Sequence, residues 1–339
     1  MSYVNTNKHR LNLGFTLIEI LVVVAIIAIL AGILLAALSG VQNAAKKTQT
    51  STLMQSFGRA CDEFALDNGR YPGILPDAVV DGVAITPMQN ALLELMGGAR
   101  VKHSQSPTAA VEEYDDFAGD ATIEFSLTDP ITGLNWDIAF DENRFGEGPW
   151  LGGRVHEPYF SPKASDLKYK PYDASVSDYT LPSLIDSWET PIIYLRSIRK
   201  SGPIIDFATS GTLPQFDLPG LDQYFEDAVN MNASLLSLDA PTIDEETRMG
   251  YLTLAIAHPT FWENDWEGGG VGWGTSRGRY LMISAGEDRT FFEVANEQMH
   301  TNQTVNPSNP FSSLEDPWGG QITPEMMDTF NDVIVFGGA

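Results

Sequence analysis

Between Ile20 and Leu38 the chain carries no charged residue. The run is close to the ~20 apolar residues that cross a bilayer core. A helix that is apolar on every side has to be buried, either in protein or in lipid. Lys8, His9 and Arg10 precede the run, which fits a cytoplasmic N-terminus because basic residues stay on that side. A cleaved secretory signal would end after a shorter apolar stretch of about 7–15 residues at small side chains. Ala36-Ala37-Leu38 makes a poor site of that kind. A plain membrane anchor fits the length and leaves Glu19 unexplained, since an acid near the start of a span costs free energy and marks function.

The stretch Gly14-Phe15-Thr16-Leu17-Ile18-Glu19 resembles the prepilin cleavage and methylation site of type IV pilins and type II secretion pseudopilins. The resemblance covers residues 8–38. It implies a leader, residues 1–14, that a prepilin peptidase removes after Gly14, leaving Phe15 as the N-methylated first residue. It also implies that Glu19 pairs with the terminal amine of a neighbouring subunit during filament assembly. Such pairing is physically sensible, because two charges that are each costly in lipid offset part of their desolvation together.

Residues 15–38 are then a transmembrane and polymerisation helix, and the helical pattern continues through residues 39–68. Val41, Ala44, Ala45, Thr48, Leu53, Phe57, Cys61 and Phe64 recur at near-helical spacing, as on an amphipathic helix that lays one face on a domain. Asp67-Asn68-Gly69 predicts the end, with Gly69 as a left-handed cap and Pro72 blocking continuation. The string Asp67-Asn68-Gly69-Arg70-Tyr71-Pro72 resembles the helix-to-loop junction of pseudopilins.

The remainder, residues 69–339, reads as a head domain, periplasmic if the family resemblance holds. With 43% apolar residues it can bury a core. The formal net charge of −25 disfavours nucleic-acid partners, which need clustered Lys and Arg. Cys61 is the only cysteine, so no intrachain disulfide forms, and a small buried apolar role on the helix is expected. Residues 73–180 are rich in Pro, Gly and Asp and read as a loop-rich insertion, with a helix at Met88–Met96 and a strand at Ala121–Leu127. Strands are expected at Pro191–Leu195, Leu252–Ala257, Tyr280–Ser284 and Val333–Phe336. The expected fold class is α+β and pilin-like: one long helix packed on an antiparallel sheet.

Asp186-Ser187-Trp188-Glu189-Thr190-Pro191-Ile192-Ile193-Tyr194 resembles the DPWGxPYxY string of the major pseudopilin, without its first proline and its glycine. A second copy of the opening stands at Asp316-Pro317-Trp318-Gly319-Gly320. Both read as tight turns that deliver a buried Trp. Tyr280-Leu281-Met282-Ile283-Ser284-Ala285-Gly286-Glu287-Asp288 resembles the YxxxSAGPD strand and loop of the same family. There, oxygens of the C-terminal loop hold calcium. That implies Asp288, Ser284 and Asp332 as candidate calcium ligands, with calcium the one candidate cofactor. Arg289 stands against a cation site. Phe261-Trp262 through Trp266, the glycine run and Trp273 read as packing or as a recognition loop.

Gly274-Thr275-Ser276-Arg277-Gly278 matches G-x-S-x-G, but a nucleophile elbow needs a strand before it and a helix after it, and here a strand follows. The histidines lack ligand spacing, so the chain is not read as an enzyme. The function expected is a structural subunit of a type II secretion-like pseudopilus in the bacterial inner membrane, single-pass with its head in the periplasm. Its partners would be the prepilin peptidase, other pilin or pseudopilin copies, membrane lipid, and an inner-membrane assembly platform with its ATPase. A type IV pilin for adhesion, motility or DNA uptake is the alternative. A membrane-anchored enzyme or binding protein using the prepilin route is the alternative of another class.

Overall fold

The computed structural model describes residues 17–80, 85–104, 106–107, 123–129, 132–173, 176–205, 214–216, 252–263, 273–292, 330 and 332–338. The cleavage residues Gly14 and Phe15 lie outside them, as do the second turn motif at 316–320 and the centre of the tryptophan segment. The contacts divide the chain into two compact units, Met1–Lys46 and Lys47–Ala339.

In the first unit the described residues form one helical stretch, the start of α1 (Leu17–Asn68). Its apolar side chains are bare: Ile18 is 69% and Ile29 64% exposed. Glu19 lies in the first turn, where a negative charge complements the helix dipole. The side chains of residues 33–39 are not among those described. Among the described residues no helix is long and apolar enough to cross a membrane. The charge-free run of the sequence continues through 33–39.

The second unit is α+β. The last part of α1 buries Met54, Phe57, Cys61 and Phe64, a stripe at spacings of three and four that faces one side of the helix. The stripe read from sequence is corrected in its first half, where Val41, Ala44, Ala45 and Thr48 are exposed. Burial begins at Thr50. Apolar spacing shows that a face exists but not how much of it the chain itself covers.

That stripe lies on a three-stranded antiparallel sheet in the order β12-β11-β8, built from β8 (Ile193–Arg196), β11 (Tyr280–Ser284) and β12 (Val333–Gly337). Phe57 meets Tyr194 of β8 edge-on at 5.3 Å and Phe160 at 5.2 Å. Gly58 has no side chain because Tyr280 of β11 occupies that place, and a Cβ there would collide with the Tyr280 hydroxyl.

Within the region read as an insertion, the short α2 (Asp77–Val80) precedes α3 (Pro87–Met96), which opens on a capping box. Thr86 accepts from the Gln89 N–H, and the Gln89 side chain accepts from the Thr86 N–H. Met88, Ala91, Leu92 and Leu95 of α3 join the main core together with Phe160. A second core gathers Leu75, Val79, Ile85, Leu93, Ile138 and Phe140. It lies against the antiparallel sheet β1-β3-β2, formed by β1 (Ala99–His103), β2 (Ile123–Thr128) and β3 (Asn135–Phe140). Hairpins β4–β5 (Trp150–Leu151, Arg154–Val155), β6–β7 (Leu167–Asp173, Val176–Leu184) and β9–β10 (Ala257–Glu263, Trp273–Ser276) complete the described strands.

One strand expectation is overturned. Residues 252–256 are helical, and β9 begins only at Ala257. Leu252, Leu254, Ala255 and Ile256 are all buried, and a short apolar run buried on every side carries no period to separate helix from strand.

Candidate functional site

The predicted helix end holds to the residue. α1 stops at Asn68, Gly69 takes φ +73°, and its N–H donates to the Ala65 carbonyl at 2.8 Å. The left-handed backbone is what glycine allows without a Cβ penalty.

The chain that leaves the helix is then held by three buried groups. Glu94, in the last turn of otherwise uncharged α3, is bound by the Arg70 guanidinium in a fork and accepts from the Gly73 N–H at 2.7 Å. Asn90, one turn earlier, accepts from the Leu75 N–H at 2.9 Å and donates to the Leu75 carbonyl at 3.0 Å. Arg196, at the end of β8, donates to Asp77 at 2.8 Å and to the carbonyls of Tyr71 and Leu75. The Asn68–Pro72 string is therefore a clamped junction, with its partners far along the chain. Sequence reasoning missed Glu94, Asn90, Arg196 and Asp77. The one legible signal was Glu94, a lone charge in an apolar helix, which needs a partner when buried.

A second fastening joins helix and sheet at the Asp186–Thr190 turn between β7 and β8. Asp186 Oδ1 accepts from the N–H groups of Trp188 and Thr190, each at 2.9 Å. Its Oδ2 accepts from the Ser284 hydroxyl of β11 at 2.7 Å. Ser187 next door exchanges hydrogen bonds with Thr50 of α1, at 3.0 and 3.1 Å. Trp188 is buried. The turn string thus delivers a buried Trp, as its resemblance implied, and ties α1, β8 and β11 together. Burial raises the Asp186 carboxyl above its ordinary range, and the Ser284 hydroxyl and the two N–H donors pull part of that back.

The candidate calcium ligands are employed as follows. Ser284 is fully buried with its hydroxyl given to Asp186. Asp288 Oδ1 accepts from the Thr290 N–H at 3.0 Å. Both oxygens of Asp332 accept from the Phe292 N–H, and burial, opposed by that bond and reinforced by the charge of Asp288, holds its carboxyl well above the usual range. Asp288 and Asp332 thus share one electrostatic neighbourhood, and the Ser284 side chain points its bond elsewhere. Among the described residues no three His, Cys, Asp or Glu form a group able to hold a metal ion. The residues seen supply fewer oxygens than the six to eight that calcium takes.

Cys61 is fully buried, and its thiol is pushed well above its ordinary value by that burial, which leaves it inert as a nucleophile. Gly274–Gly278 runs from β10 directly into β11, so the geometry of a nucleophile elbow is not formed. Ser276 donates to the Gly278 carbonyl at 2.8 Å. In the tryptophan segment, β9 and β10 pair Trp273 with Glu263 and Gly274 with Trp262, and Phe261 is 60% exposed.

The family described as the prokaryotic N-terminal methylation motif matches residues 9–35. No curated protein and no solved structure matches the chain. The match is confined to that N-terminal stretch, where it supports a type IV pilin-like or pseudopilin-like reading. Processing by a prepilin peptidase and assembly with other pilin subunits follow from the motif. The long helix followed by antiparallel sheets agrees with a pilin-like fold.

Proposed function

We propose that the chain is a structural subunit of a type II secretion-like pseudopilus. On this reading it is inserted in the inner membrane, cut after Gly14, methylated at Phe15 and polymerised through its N-terminal helix to move protein substrates outward. The observation that carries this reading is the methylation motif over residues 9–35, with Glu19 in the first turn of α1. Two further features support it. The apolar residues of α1 up to position 32 are bare in the single chain, as expected of a surface that lipid and then neighbouring subunits cover. The head fastens the C-terminal part of that helix through the junction and turn described above, so a pull on the helix is transmitted to a folded domain. Movement would come from a cytoplasmic ATPase acting through a membrane platform, and the subunit would contribute packing and no catalysis.

Glu19→Ala tests the assembly role. The expected outcome is normal cleavage with loss of polymer, read by N-terminal processing and by the yield of sheared filaments. Ordinary incorporation of the variant into filaments would remove that role.

Calcium belongs to this reading only at the Asp288–Asp332 pair. A divalent cation there would offset the burial and, beside it, the Asp288 charge that together hold the Asp332 proton. If it binds, chelator lowers the melting temperature of the wild-type protein and leaves Asp332→Asn unchanged. An equal melting temperature of the wild type with and without chelator would retire the ion.

A further inference from the structure

We draw no further inference here: the strongest candidate, the exposed aromatic patch on the β9–β10 hairpin where Phe261 is 60% exposed with its ring 4.9 Å from that of His258, carries nothing because nothing in the structure shows what covers it.

Discussion

Asp186 shows how one side chain can set the position of three elements. It accepts two turn N–H groups and the Ser284 hydroxyl while buried. Truncation to Ala orphans three donors, and each buried unsatisfied group costs about 1–3 kcal/mol. Asp186→Ala should therefore lose roughly 3 kcal/mol or more by denaturant titration. Asp186→Asn keeps the acceptor oxygen for the turn, lets the hydroxyl reorient, and should match the wild type near neutral pH. The same pair of proteins separates in pH dependence. Burial raises the folded carboxyl above its unfolded value of about 3.9, so the folded state holds the proton more tightly. That contribution is complete below the unfolded value and is lost as pH rises through the folded one. The wild type should thus lose stability relative to Asp186→Asn as pH rises from about 3.5 toward neutral. Parallel pH curves for the two would contradict the assignment. Neither Ser284 nor Asp186 could be given this role from sequence, because they lie far apart in the chain and their adjacency exists only once β8 and β11 pair.

At the scale of elements, the turn between β7 and β8 departs from the string it resembles at an informative place. Glu189 occupies the position of that string's glycine. It adopts φ +69°, is exposed, and its N–H closes the turn onto the Asp186 carbonyl at 3.0 Å. A non-glycine residue in the left-handed region costs roughly 1–2 kcal/mol, and glycine gives back part of the gain through its larger unfolded entropy. Glu189→Gly should stabilise the protein by about 0.5–1 kcal/mol, a rise in Tm of about 1–4 °C. A fall in Tm would mean that the Glu189 side chain contributes something the turn geometry does not show.

Elements with a strong local signal were legible. Gly69 and Pro72 marked the end of α1, the run Met88–Met96 marked α3, and β-branched or aromatic runs marked β11 and β12. Elements whose type is decided by what surrounds them were not. Residues 252–256 became helical inside an apolar core, and the clamp on the junction uses Glu94 and Asn90 of α3 together with Arg196 at the distant end of β8.

For the whole molecule, the division at Lys46 and Lys47 matches a change in what the residues are for. Up to position 32 the described side chains of α1 are apolar and bare apart from Glu19. From Thr50 one face of the helix belongs to a core. The apolar run and the Gly14–Glu19 motif were readable because each is contiguous in the sequence.

On the proposed function this chain enters a filament by way of a processed N-terminus. Mass spectrometry of the N-terminal peptide, from the membrane fraction of cells that make a prepilin peptidase, tests it most directly. The account predicts a peptide that begins at Phe15 and carries one methyl group on its amine. An intact N-terminus retaining residues 1–14 in the presence of the active peptidase would contradict it and leave an ordinary anchored protein.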